Sequence, residues 1–118
     1  MITPTNIKLD KSKKNLTITF NDKDFQLSAE FLRVYSPSAE VRGHSPEEEI
    51  LQVDKENVTI KDIRATGNYA ITLFFSDSHD TGIYSWDYLY SLCSNYDKLW
   101  NEYLEKLKNA NHNHSQIK

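Results

Sequence analysis

The stretch Ser76-Asp77-Ser78-His79-Asp80 comes nearest to chemistry in residue type and spacing. A histidine between two aspartates in a turn can ligate a metal ion or act as an acid and base near neutral pH, where imidazole titrates. The same side chains also serve a turn with no chemistry: Asp77 and Asp80 bond the backbone in Asx turns while His79 bonds the main chain. Taken alone, the stretch is better read as a turn. Cys93 falls on an apolar helical face, whereas a reactive thiol needs a cationic, part-exposed setting, so it is read as a buried structural residue. His112 and His114 flank Asn113 in a polar tail, and Glu47-Glu48-Glu49 lie in an acidic loop. Each could contribute to a weak cation site, and each reads more simply as solvated chain. Arg33, Glu40, Arg42 and His44, with Tyr84, Trp86 and Asp87, flank short helices. They can form either an ion-pair patch that holds those helices down or a recognition surface.

Larger signatures are missing. There is no P-loop, no dinucleotide-binding glycine fingerprint and no zincin pattern, and the chain has only three glycines with which to cradle a phosphate. With 14 basic and 17 acidic residues the formal charge is -3, which argues against an electrostatic nucleic-acid binder. One cysteine permits no internal disulfide and suits a reducing compartment. The N-terminus lacks the basic and apolar regions of a signal peptide, and the apolar run from Tyr69 to Phe75 is too short to span a bilayer. A soluble cytoplasmic protein is expected. At 118 residues the chain can bury one core, rich in aromatics because these make up 12% of the residues.

The elements that must position these residues follow from periodicity. Ile7 and Leu9 alternate with polar neighbours. Leu16, Ile18 and Phe20 share one face of a strand, and Phe25-Gln26-Leu27 returns as the second arm of a hairpin. Ser28 is placed to cap a short helix through Tyr35, with Glu30 in its first turn. Phe31 stands where a full capping box needs an acidic or amide side chain. A second helical turn is expected with Ser36 as cap, Pro37 at the first helical position and Gly43 as stop. Residues 44–49 read as an exposed acidic loop. Short strands are expected at Ile50–Val53, Val58–Ile63, Asn68–Phe75 and Thr81–Tyr84. Ser85 caps a helix carrying Trp86, Leu89, Tyr90 and Cys93. Asn95 caps another, on which Tyr96, Leu99, Trp100, Tyr103, Leu104 and Leu107 form one apolar stripe. The architecture is α+β: an antiparallel meander of five to seven short strands packed against C-terminal α-helices, with short helices inserted after the first hairpin. Residues 1–109 form one domain, and 110–118 a disordered polar tail.

Three stretches together resemble a known family: Phe31-Leu32-Arg33-Val34-Tyr35-Ser36-Pro37-Ser38-Ala39-Glu40-Val41-Arg42-Gly43-His44, then Glu56-Asn57-Val58-Thr59-Ile60, then Gly67-Asn68-Tyr69-Ala70 running on to His79 and Gly82-Ile83-Tyr84-Ser85-Trp86-Asp87-Tyr88-Leu89-Tyr90. The chain resembles the gamma-butyrobetaine hydroxylase-like N-terminal domain (DUF971) in its stand-alone bacterial form, over roughly residues 7 to 107. In the carnitine-pathway hydroxylases this domain precedes the catalytic oxygenase domain. The iron-binding motif of that domain is not in this sequence, so the resemblance does not carry hydroxylase activity here. The resemblance implies a structural zinc in those enzymes, held by three cysteines and one histidine. Here the corresponding positions are Ser36, Ser38, Val41 and His79, and neutral hydroxyls and an alkyl group do not replace thiolates. No zinc, iron or other cofactor is therefore expected. A similar domain is also attached to P-loop ATPases that carry iron–sulfur clusters, which makes iron–sulfur assembly a plausible setting by analogy. A lone thiol cannot supply the usual four cluster ligands.

The function expected from this is a non-catalytic adaptor. It would bind a protein partner, such as an iron–sulfur carrier ATPase or an oxygenase, through the surface around Arg33, Arg42, His44, His79, Tyr84, Trp86 and Asp87. Nucleic acid and membrane are not expected partners. The alternative is a metal-linked accessory binding iron or zinc through His79 with Asp77 or Asp80, or a helper in iron–sulfur cluster assembly. An autonomous enzyme ranks last, because no nucleophile–base pair is legible.

Overall fold

A computed structural model describes residues 2–42 and 51–110. Chain order is β1 (Asn6–Leu9), β2 (Asn15–Phe20), β3 (Lys23–Ser28), α1 (Ala29–Val34), α2 (Ala39–Arg42), β4 (Ile60–Thr66), β5 (Ala70–Phe75), β6 (Ile83–Ser85), α3 (Trp86–Ser94) and α4 (Tyr96–Asn109). The α+β class and the helical cover are as expected. Among the described residues six strands are divided between two three-stranded antiparallel sheets, β1-β2-β3 and β4-β5-β6.

Each sheet buries the face its alternation marks. In the first sheet Ile7 and Leu9 lie beside Ile18 and Leu16, which in turn face Phe25 and Leu27. The tight β2–β3 hairpin turns on Asn21 and Asp22, both at positive φ, as a two-residue primed turn requires. In the second sheet Ile71, Leu73 and Phe75 point inward, with Tyr84 paired beside Ile71. Its other face carries Thr72, Phe74, Arg64 and Ile83. Gly67 turns β4 into β5 at φ +64° with open space around it, so the backbone angle, not crowding, favours glycine there. The Ile60 N–H donates to the Lys13 carbonyl at 2.8 Å, and the Ala29 N–H to the Lys14 carbonyl at 2.7 Å. The β1–β2 turn thus joins the second sheet to the start of α1.

Some element bounds differ from the pattern-based expectation. The strands of the second sheet begin later than expected, at Ile60, Ala70 and Ile83, and residues 51–53 form no strand. Ile50, the acidic loop and Gly43 lie outside the described residues. So do His112, His114 and all but the first residue of the polar tail. The second helical turn starts at Ala39 instead of Pro37. The Val41 and Arg42 N–H groups both donate to the Ser38 carbonyl, while the Ser36 hydroxyl bonds His79.

Helix α1 is buried along its whole length, Glu30 and Arg33 included. Phe31 sits against Tyr35, Tyr96 and Trp100, with ring centroids 5.1, 4.8 and 6.3 Å away. The stripe on α4 therefore closes over α1 and the first sheet. The Ser28 hydroxyl accepts from the Phe31 N–H at 3.0 Å, and Ser85 caps α3 by accepting from Tyr88 at 3.1 Å. Asn95 makes no side-chain cap on α4. Its amide instead donates backward to the Ser91 carbonyl at 2.9 Å, closing the end of α3. Substituting Ser28 or Ser85 by alanine should each cost about 1 kcal/mol in urea unfolding. Asn95→Ala, which removes no N-cap bond, should stay within about 0.5 kcal/mol of the parent.

Candidate functional site

The polar residues singled out in the sequence converge on the C-terminal end of α1. A helix end leaves carbonyls without intrahelical partners, and when the end is buried other donors must reach them. The Tyr84 hydroxyl donates to the Leu32 carbonyl. Arg42 donates through Nη2 to the Val34 carbonyl at 2.8 Å and through Nε to the Ser36 carbonyl at 3.1 Å. The Tyr88 hydroxyl donates to the Tyr35 carbonyl. Arg42 also lies over the Tyr35 ring at 5.3 Å, a cation at the negative end of the helix. Burial is the largest influence on the Tyr84 phenol and pushes its pKa up, so it acts as a hydrogen-bond donor and not as a base.

The two charged residues inside α1 are met as well. Tyr103 donates to a Glu30 carboxylate oxygen at 2.8 Å. Arg33 donates through Nε to Asp77 at 2.9 Å and through Nη1 to Gln52 at 3.0 Å. Lys55 approaches the same Asp77 oxygen at 2.8 Å, and the His79 N–H donates to the other at 3.3 Å. Burial opposes ionisation of Asp77. The hydrogen bond from Lys55 and the charge and hydrogen bond of Arg33 outweigh it, so the carboxyl lies below its usual value. Among the described residues no buried side-chain nitrogen or oxygen lacks a partner.

His79 is 5% exposed, and its Nε2 lies 2.8 Å from the Ser36 hydroxyl. A serine oxygen on an imidazole nitrogen is half of a nucleophile–base arrangement. Ser36 is fully buried in this structure. The described residues around His79 assemble no metal site. Asp77 is turned to Arg33 and Lys55, and among the described residues no three His, Cys, Asp or Glu side chains gather. Cys93 is buried, which pushes its thiol up to about 12 and keeps it protonated and unreactive.

Arg33, Arg42, His79 and Tyr84 are thus brought together, at the end of a buried helix and not on an open face. Trp86 is half-buried and donates its indole N–H to the Asn68 carbonyl at 3.3 Å. Asp87 is exposed in the first turn of α3. His44 lies outside the described residues. Sequence reading missed the exposed apolar residues Tyr69 and Ile83, at 57% and 53%. Each sits in a strand-like alternating run, and alternation does not say which face a second sheet leaves open.

The sequence profile described as gamma-butyrobetaine hydroxylase-like, N-terminal, matches residues 7–90, and the chain belongs to that family. Two proteins with NMR solution structures match all of this chain at 43% and 44% identity, with TM-scores of 0.84 and 0.79 and 97% and 92% of their own lengths covered. The crystal structure of a DUF971-family protein with unknown function from Acidithiobacillus ferrooxidans ATCC 23270 matches at 32% identity and a TM-score of 0.62, over 75% of this chain and 90% of that one. No curated protein matches. Among the described residues no helix is long and apolar enough to cross a membrane.

Because the Asp77 carboxyl is more acidic in the folded chain than when free, its contribution is complete above the unfolded value of 3.8. It is lost as pH falls through the lower folded value. Asp77→Asn should therefore unfold at lower urea than the parent at neutral pH. The gap between the two should narrow as pH falls below 3.8.

Proposed function

We propose that this chain is a cytoplasmic, non-catalytic protein-interaction module. It would serve a protein partner of the kind the family resemblance suggests, an iron–sulfur carrier ATPase or an oxygenase. The observation that supports this is a division of labour. The polar residues of the family-like stretches are spent on the interior, while Tyr69 and Ile83 stand more than half exposed at one end of the second sheet. Ile83 lies on edge strand β6, and the Trp86 N–H donates to the Tyr69 carbonyl at 2.9 Å. Trp86 and the exposed Asp87 thus follow on from Tyr69, while Ile83 pairs with Thr72 further along the same two strands. Aromatic residues next to an acidic side chain at a sheet edge suit a protein surface better than a small molecule.

The corresponding experiment is an anaerobic capture from native lysate with the parent and with Tyr69→Ser/Ile83→Asp, read by mass spectrometry. Both changes lie on exposed positions, so circular dichroism and Tm should stay close to the parent. The expected result is recovery of an iron–sulfur carrier ATPase or an oxygenase by the parent, reduced at least about tenfold in the variant. An empty capture, or one the double substitution leaves unchanged, would overturn the proposal.

A further inference from the structure

We infer that the corner to which the family resemblance assigns a zinc ion is, in this chain, a closed hydrogen-bonded plug that fastens the same segments without metal. The four positions concerned are Ser36, Ser38, Val41 and His79, at 0%, 7%, 1% and 5% exposure. Their donor set does not fit zinc, which takes thiolates, imidazoles or carboxylates in a tetrahedron. Here two of the four are neutral hydroxyls and one is an alkyl group. The available polar atoms face one another instead. Ser36 Oγ lies 2.8 Å from His79 Nε2, and Ser38 Oγ lies 2.7 Å from Thr81 Oγ1. The Ser38 N–H donates to Ser36 Oγ at 3.3 Å.

These contacts form a ladder between two stretches that share no strand pairing. Arg33 meets Asp77, Ser36 meets His79, and Ser38 meets Thr81, each rung joining residues 43 or 44 apart in the chain. The middle rung, Ser36 to His79, is buried, while the Arg33–Asp77 and Ser38–Thr81 rungs on either side of it are part-buried. Gly82 closes the corner. A Cβ placed there would come within 2.5 Å of Ser36 Oγ and 3.1 Å of the Tyr84 ring, so the Gly82 backbone lies directly against the serine. The plug does mechanically what a metal would do. It holds the loop before α2 against the loop before β6, and so keeps Arg42 and Tyr84 on the end of α1.

The test uses tag-free parent protein, dialysed, with zinc and iron measured by elemental analysis and Tm recorded with and without EDTA. The expected result is less than about 0.1 metal per chain and an unchanged Tm under the chelator. Ser36→Ala should lower Tm by roughly 5 °C, equally with and without added zinc, and Gly82→Ala should lower it as well. If Ser36→Ala does not fold, Ser38→Ala breaks the neighbouring rung and reads the same loss. A full equivalent of metal, or a fall in Tm with EDTA, would overturn the metal-free plug. An unchanged Tm in both serine variants would overturn its fastening role.

Discussion

A six-residue helix buried on every side governs this structure. Helix α1 is too short to be stable alone, and it carries a carboxylate and a guanidinium into the interior. Burying it requires a partner for each charge and a donor for each carbonyl at its end. Those demands reach every other part of the fold. Ser28 closes the N-terminus from β3, and Tyr103 of α4 meets Glu30. Asp77 meets Arg33 from the turn after β5, while Tyr84 of β6, Arg42 of α2 and Tyr88 of α3 take the terminal carbonyls. Among the described residues the main-chain link from β4 to the first sheet's turns is the Ile60 N–H to the Lys13 carbonyl, and α1 and its donors also tie the halves together.

This accounts for what the family-like stretches are for. Arg42, His79, Tyr84 and Tyr88 look like binding residues because they are polar or aromatic and lie on loops or at the ends of short helices. In the folded chain they bind the protein's own backbone and side chains. The stretch from Ser36 to Arg42 and the stretch from His79 to Tyr88 are two halves of one internal joint. Under the proposed reading, the partner surface belongs to what that joint leaves outside, at the exposed Tyr69 and Ile83 of the second sheet.

The elements were legible wherever a single physical rule decided them. Alternation of Leu16, Ile18 and Phe20 marked β2, and the spacing from Tyr96 to Leu107 marked α4. The serine caps at Ser28 and Ser85 were readable because hydroxyls there have one nearby partner, the third N–H of the following helix. The reading went astray where two partners compete. Ser36 fits a cap by position, yet it bonds His79, 43 residues away, and the helix begins at Ala39. Asn95 fits a cap too, but its amide turns back to Ser91.

Local pattern thus settles the strands and helices whose alternation or apolar stripe is clear, such as β2 and α4, and the burial of Cys93; the mismatch between Ser36, Ser38, Val41 and a zinc site follows from the family resemblance. These depend on side-chain chemistry and on neighbours within one or two turns. Tertiary structure alone decides that the six strands part into two sheets and that Arg33, Arg42, His79 and Tyr84 face inward. It also decides that Tyr69 and Ile83 face out. The inward placement of Arg33, His79 and Tyr84 rests on contacts between residues 43 to 52 apart, and a hydrogen bond over such a distance exists only once the chain has closed around α1.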